Sequence, residues 1–539
     1  MDKYKDTLYV LYGSRTGNAK AVAVLAHEYA KSLGYATVLG DMQDFDYGEL
    51  QYIENLLITV STHGEGEPPV QAERFYEQVH STAVSSVKAK YAVLGLGDSS
   101  YRYFCQTGED LDKRLATLGG QSVMGLVKCD IDFEETAKEW VRDAFVAFKG
   151  ILPVVNKVDS AGFTFELKSG NNPNSAYRAE LLEKKMLTTA DSSKKVLHVS
   201  LSLKNSGIEY IPGDAIGVYG TNSRAFVDEL LQALKFDKAY PVKVNEETHL
   251  LKNRLIHEYE LTLITPLVIR KYAALVQHKA LDRLLDNEAQ LEAYAAEGDV
   301  LDLVLDFPGQ ISVEDFLSVL RKLNQRLYSV ASSRAAVGDR ADITVKVIEN
   351  NHGERSRNGV CSSFLWNRLD VGDKVPITLE TIAKFRLPED DNVPVVMISA
   401  GTGIAPFRAF LQERSARQAK GNAWLIFGER NSKSDFLYQE ELLAYKSSGV
   451  LSELSTVFSR DQDQKRYVSH VIEENGAALI EQLEKGAVIY VCGSKDTLAV
   501  TVRQSLLRIF AKYLKKDVEQ ALAYFEALKA NKQYQEEVY

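Results

Sequence analysis

The stretch Arg326-Leu-Tyr-Ser-Val-Ala-Ser-Ser333 gathers an arginine, a tyrosine and several hydroxyls on one short alternating segment. Read as a strand, it turns Arg326, Tyr328 and Val330 one way and Leu327, Ser329 and Ala331 the other. An aromatic plate and a cation then face a ligand, while the opposite face stays with the core. Two stretches downstream frame this strand. Gly359-Val-Cys-Ser-Ser-Phe-Leu365 opens a helix with small residues and hydroxyls, which suits a pyrophosphate. Gly401-Thr-Gly-Ile-Ala-Pro-Phe-Arg408 repeats the device for a second nucleotide.

The rest of the chain is long enough to hold several such units. At 539 residues it exceeds what one core can organise, and three to four domains are expected. A hydrophobic content of 45% with 26% charged residues is ordinary for a soluble globular protein. No run of eighteen apolar residues occurs, and the first residues lack a signal-peptide pattern. The four cysteines, Cys105, Cys129, Cys361 and Cys492, are widely spaced and form no CxxC pair. That pattern argues against a disulfide framework, a zinc site or an iron–sulfur cluster, and for a reducing, cytoplasmic setting. A formal charge of −10 disfavours nucleic acid and suits a basic patch on a partner protein.

Residues 1 to about 150 alternate strand and helix patterns, as a doubly wound parallel sheet does. Strands are expected at 7–12, 36–39, 55–61, 90–96 and near 121–128, with helices at 19–33 and 110–118. In such a sheet ligands sit beyond the carboxyl ends of the strands. The first loop there, Ser14-Arg-Thr-Gly-Asn-Ala19, offers hydroxyls, glycine and backbone amides to a terminal phosphate. It lacks GxGxxG, so a mononucleotide is expected. The second loop, Ser61-Thr-His-Gly-Glu-Gly66, is glycine-rich; the third, Gly97-Asp-Ser-Ser-Tyr-Arg-Tyr-Phe104, sets aromatics beside a tight turn.

From 151 to 175 the pattern gives way to polar, Gly- and Pro-containing residues, read as a linker. Strands resume at 195–202 and 210–219, and 222–322 reads as a helical insertion with stripes such as that beginning at Phe226. Strand character returns at 326–333 and 341–348. From about 389 a second parallel α/β pattern begins with Val393–Ser399. Its glycine loop, with Gly401, Thr402 and Gly403, is suited to a dinucleotide pyrophosphate. After the strand Ser455–Phe458, Ser459, Arg460, Lys465 and Tyr467 can neutralise and hydrogen-bond a dianionic phosphate. An NAD site would carry an acid there instead, so the expected dinucleotide is NADP.

These loops, in this order, resemble the NADPH-dependent diflavin reductases along essentially the whole chain. The resemblance implies a flavodoxin-like FMN domain at 1–150, a linker at 151–175, a FAD-binding β-barrel at 176–388 interrupted by the insertion, and a C-terminal α/β NADP-binding domain at 389–539. It implies FMN phosphate contacts from Ser14, Arg15, Thr16, Gly17, Asn18 and Ala19. Isoalloxazine contacts would come from Ser61, Thr62, His63, Gly64 and Gly66, and from Gly97, Asp98, Ser99, Tyr101, Tyr103 and Phe104, with Tyr101 stacked. His63 stands where the P450-reductase branch has tyrosine, and Asp130 where the family has an acid near the flavin. For FAD it implies Arg326 on the pyrophosphate, Tyr328 on the ring and Ser329 by N5, with Gly359, Val360, Cys361 and Ser362 at the helix start.

Cys492 matches the family's thiol beside the nicotinamide, although Ser494 replaces the usual acid two residues on. The end, Tyr534-Gln-Glu-Glu-Val-Tyr539, is similar to that of the sulfite reductase branch, with Glu537 in place of aspartate and Tyr539 as the aromatic that covers FAD. The resemblance thus implies an enzyme carrying electrons from NADPH through FAD and FMN to a sirohaem iron–sulfur sulfite reductase subunit, with Ser329, Cys492, Glu537 and Tyr539 at the hydride site. A cytochrome P450 or an iron–sulfur protein as acceptor fits every motif except the tail. A non-catalytic docking module is the remaining alternative. The pattern starts without the N-terminal extension of some relatives, which leads to an expectation of a monomer.

Overall fold

The computed structural model describes residues 4–63, 66–155, 163, 165, 167, 176–244, 247–352 and 355–539. They divide into two compact units: Met1–Asn172 with Val227–Asn324, and Pro173–Phe226 with Gln325–Tyr539.

The first unit is built on a parallel sheet in the order Ala36–Asp41, Thr7–Gly13, Asn55–Ser61, Lys90–Leu96, then the short pieces Gln121–Ser122 and Val127–Cys129 beside the last. Strands such as Asn-Leu-Leu-Ile-Thr-Val-Ser at 55–61 are almost wholly buried, as a sheet covered on both faces requires. Helices Asn18–Ser32 and Glu134–Phe148 cover one face around Trp140 and Phe145; Val70–His80 and Gln106–Thr117 cover the other around Phe75 and Leu111. The expected single strand near 121–128 is interrupted, because Met124-Gly125 leaves the sheet between its two pieces. Most of the expected linker lies outside the described residues, but Phe163, Phe165 and Leu167 pack on the first core, with both rings against Tyr29.

The insertion belongs to this unit from Val227 onward. It is helical as expected, from Arg224–Leu234 to Val313–Val319, and several of its helices start on side-chain caps: Thr265, Asn287, Asp299 and Ser312. It also holds an antiparallel hairpin, Pro241–Val244 with Glu247–Leu250, which the helical reading did not include.

In the second unit a six-stranded antiparallel sheet runs Arg326–Ser329, Ala215–Val218, Lys374–Glu380, Tyr177–Met186, Lys195–Ser202, Arg340–Val347. Arg326–Ser329 is therefore an edge strand, and Leu327 is 48% exposed rather than held in the core as its alternation suggested. Val330 and Ala331, just beyond it, are fully buried. The same unit contains a five-stranded parallel sheet in the order Glu453–Phe458, Ala423–Glu429, Val395–Ala400, Val488–Gly493, Tyr534–Val538. The last residues are thus a sheet strand, in register Cys492↔Glu537, and not a frayed end.

Candidate functional site

The first three loops meet at the carboxyl edge of the first sheet. Gly17 takes a left-handed conformation (φ 89°) with open space where a Cβ would stand, and it caps Asn18–Ser32 without any side-chain hydrogen bond. A helix start of this kind leaves backbone donors for an anion. Ser14 accepts from the Ala19 N–H (3.2 Å), so its oxygen already shapes the loop. The Ser61 hydroxyl donates to the Gly13 carbonyl (3.3 Å), the Thr62 N–H donates to Leu96 (2.8 Å), and the Thr107 N–H donates to Thr62 (3.2 Å). A Cβ on Gly66 would press on Tyr103 and Gln106, and one on Gly97 would strike the Cys105 nitrogen at 2.9 Å. These glycines let the second and third loops close on each other.

His63 is exposed and its ring is held by the Arg15 guanidinium (Nη1–Nδ1 3.1 Å). Gly64 lies outside the described residues. Tyr101 is 52% exposed. Asp98 and Ser99 are otherwise employed. Asp98 accepts from the Ser100 N–H (2.9 Å) and hydroxyl (2.6 Å), while Ser99 donates through N–H (3.0 Å) and hydroxyl to Asp130. Their side chains fix the loop, which leaves its backbone and aromatics to meet a ligand. Thr16, Asn18 and Phe104 stand in the same loops, with Phe104 against Gly97.

In the second unit Arg326, Tyr328 and Ser329 lie on the edge strand paired with Ala215–Val218. Burial, with Cys361 close by, pushes the Tyr328 phenol well above its ordinary range. The helix Val360–Asn367 starts at Gly359 with no side-chain cap, again leaving donors for an anion. The Ser362 hydroxyl accepts from the Ile348 N–H (3.1 Å). Cys361 is a packed residue: its thiol donates to the Val218 carbonyl (3.7 Å), and a Cβ on Gly220 would meet its Cα at 2.9 Å.

The glycine loop Gly401–Ile404 begins where Val395–Ala400 ends, and it too has no side-chain cap. Gly403 has no room for a side chain, because a Cβ would sit 2.1 Å from the Cys492 carbonyl. Beside it Ser329 donates to the Glu537 carboxylate (2.9 Å), and Thr402 and Tyr539 share a hydrogen bond (2.7 Å). Tyr539 is 62% exposed and is held through its N–H on the Gly493 carbonyl (3.1 Å). Burial pushes the Cys492 thiol well up, and the Glu537 carboxylate pushes it further, so it is protonated at neutral pH. Ser329 bonds Glu537, Glu537 pairs with Cys492 in the sheet, and Tyr539 follows on the same terminal stretch.

Past the strand Glu453–Phe458, the Ser459 N–H donates to Glu429 and the Arg460 N–H to Arg430 (both 2.8 Å). Arg460, Lys465 and the half-exposed Tyr467 line one loop, while the neighbouring Arg466 is taken up by Glu474.

Two features had no reading in the sequence. Arg430 donates to Ser193 (2.8 Å) beside the buried Lys194–Glu429 ion pair, a basic cluster next to the glycine loop. Arg408, quoted only as the end of its motif, is buried and bonds the Ala331 carbonyl (2.6 Å), Asp342 (3.0 Å) and Glu441 (2.8 Å). It thereby ties the helix after the glycine loop to the segment following the edge strand.

A flavodoxin-like sheet followed by an antiparallel flavin barrel and a parallel nucleotide sheet defines a multidomain flavin- and nicotinamide-dependent oxidoreductase. Family models agree: flavodoxin over 10–144, FAD binding domain over 171–291 and oxidoreductase NAD-binding domain over 397–504. The chain is 39% identical to the NADPH sulfite reductase flavoprotein alpha-component of Bacillus subtilis, over 98% of this chain and 89% of that one. Those of Shewanella oneidensis (38%, 99% and 90%) and Vibrio parahaemolyticus (37%, 99% and 86%) are similar to it along the same length. The chain belongs to the family of sulfite reductase flavoprotein alpha-components. Its cofactors are FMN, FAD and NADPH, and it is an oxidoreductase that carries electrons from NADPH through flavins.

Proposed function

We propose that the electrons leave this chain for a sirohaem iron–sulfur haemoprotein that reduces sulfite to sulfide, in the cytoplasm. The near full-length similarity to the alpha-components supports this acceptor, and among the described residues no helix is long and apolar enough to cross a membrane. We also assign domains 1–150, 176–388 and 389–539, joined by 151–175.

The observation that carries the site assignment is the hydrogen bond from Ser329 to Glu537, with Cys492 opposite Glu537 in the sheet. When bound, nicotinamide supplies a hydride, and flavins accept an electron pair and release it singly. The chain's own residues orient and protect that transfer. Arg326 and the backbone from Gly359 to Ser362 hold the FAD pyrophosphate, and Tyr328 packs its ring. Ser329 and Glu537 hold a proton at the hydride site, and the neutral Cys492 thiol donates there without competing as a nucleophile. Gly401, Thr402 and Gly403 admit the dinucleotide backbone, while Ser459, Arg460, Lys465 and Tyr467 bind the 2′-phosphate. Tyr539 covers the site on its exposed side. On the first unit, Ser14 to Ala19 bind the FMN phosphate and Tyr101 stacks on its ring, with His63 at the edge.

The test is anaerobic NADPH titration with and without a sirohaem sulfite reductase subunit, following sulfide. Sulfide formed only with both chains is the expected result. Reduction of both flavins with no sulfide from a matched partner would overturn the acceptor and leave the NADPH-to-flavin reading standing.

A further inference from the structure

The loop that carries Tyr101 is braced by side chains from outside the flavodoxin-like fold. Asp130, itself 8% exposed, accepts from the N–H groups of Ser99 (3.0 Å) and Ile131 (2.8 Å) and from the Ser99 hydroxyl. Asp98 holds the next turn through Ser100. Two carboxylates so placed repel one another. Arg321, from the end of the insertion, lies between them and is 5% exposed: its Nη2 bonds Asp98 and Asp130 Oδ1 (3.3 Å), and its Nε stands 3.2 Å from Asp130 Oδ2. A second insertion residue, Thr265, places its hydroxyl 3.3 Å from that of Ser99, whose own proton is given to Asp130.

We infer that Arg321 is a positioning residue of the FMN site, supplied by the insertion: it clamps Asp98 and Asp130 and thereby sets both the shape and the charge of the flavin loop. The inference rests on the reading of 97–104 as that loop. One buried guanidinium against two carboxylates leaves a single net negative charge there. Removing it doubles that charge and frees the loop, which disfavours both FMN binding and its reduction to an anionic form. Lysine keeps the charge but cannot span both carboxylates with a planar fork.

The test uses the full chain carrying R321Q, R321K, R321Q with D98N, or Y101A. FMN dissociation is followed by fluorescence, the FMN midpoint potential by anaerobic titration, and FAD content serves as the internal control. R321Q is expected to weaken FMN on the order of tenfold, the loss of one charge-assisted contact, with FAD retained and the FMN potential more negative. R321K falls between R321Q and the parent in affinity, and D98N restores part of what R321Q loses. A parent-like affinity and potential in R321Q, with both altered in Y101A, overturns the role of Arg321 and leaves the loop reading intact. Parent-like behaviour of both variants overturns the two together. Should R321Q fail to fold, R321K decides: intermediate affinity supports the clamp, and parent affinity overturns it.

Discussion

The Ser329 hydroxyl donates to the Glu537 carboxylate at 2.9 Å, joining the edge strand of the flavin barrel to the last strand of the nucleotide sheet. Glu537 is also opposite Cys492 in that sheet, and its carboxylate raises the Cys492 thiol, so one carboxylate acts on both partners of the proposed hydride site. Changing it should affect the chemical step more than binding. E537Q is expected to slow FAD reduction by NADPH by roughly a hundredfold or more, the scale of a lost proton-holding group. NADPH affinity should change little. Stopped-flow flavin bleaching at saturating NADPH measures this, and an unchanged rate would remove Glu537 from the site.

The state of Cys492 gives a second prediction. Its thiol is raised by burial and by Glu537, and all four cysteines are free and buried. Native protein at pH 8 should therefore resist iodoacetamide, with four modifications appearing only on unfolding. Mass spectrometry of alkylated protein decides; rapid native labelling at Cys492 would contradict the buried, protonated thiol.

Cofactor preference should reside in Arg460 and Lys465. Replacing both with alanine removes charge-assisted contacts to a 2′-phosphate, each about 1.5–3 kcal/mol or roughly tenfold to a hundredfold in affinity. KM for NADPH should rise accordingly, kcat should hold, and KM for NADH should stay put. An equal loss with NADH would place the 2′-phosphate elsewhere.

Arg408 predicts a stability effect. R408A removes one of the two arginines on Asp342, which is fully buried, and leaves Arg340 (Nε 2.9 Å) as the other, so the loss should stay at or below the about 3–5 kcal/mol of a broken buried pair. Hydrogen exchange of Arg340–Val347 should accelerate, and R408A with D342N should recover part of the protection. No change in exchange would mean that the pair is not needed there.

The pH dependence has a sign at each end. Burial lowers the pKa of His198, so the folded second unit binds fewer protons than the unfolded chain below the ordinary value of 6.5. Its stability contribution is full above pH 6.5 and is lost as the pH falls through the lowered value. Burial pushes the Cys129 thiol up to about 12 from 9.0, so the first unit loses stability as the pH climbs from 9 toward 12. Thermal unfolding across pH 5 to 11 checks both, with H198Q expected to flatten the acid limb.

The glycine loops were legible because each needs a residue type that only the chemistry explains: Gly17 at positive φ, Gly403 against a carbonyl, hydroxyls at uncapped helix starts. The strands feeding them were legible as continuous apolar runs, which only doubly covered parallel sheets show. Arg321 and Thr265 left no trace, because a helical insertion carries no motif and their partners lie far away in sequence. Arg408 was visible as a letter in its motif, but its role depends on Asp342 and Glu441, which no spacing links to it. The hairpin at 241–250 was missed because four-residue strands give too little alternation to outweigh their helical surroundings.

Strand Ala215–Val218 lies between Arg326–Ser329 and Lys374–Glu380, and both neighbours are synthesised only after the whole insertion. A growing chain must therefore carry an apolar strand with two open edges while the insertion folds. Such late, distant pairing makes for slow closure and for a window in which unpaired edges find other chains. The barrel's assembly rate, and the dependence of recoverable enzyme on temperature and chaperones during expression, should be governed by that delay rather than by the stability of the finished fold.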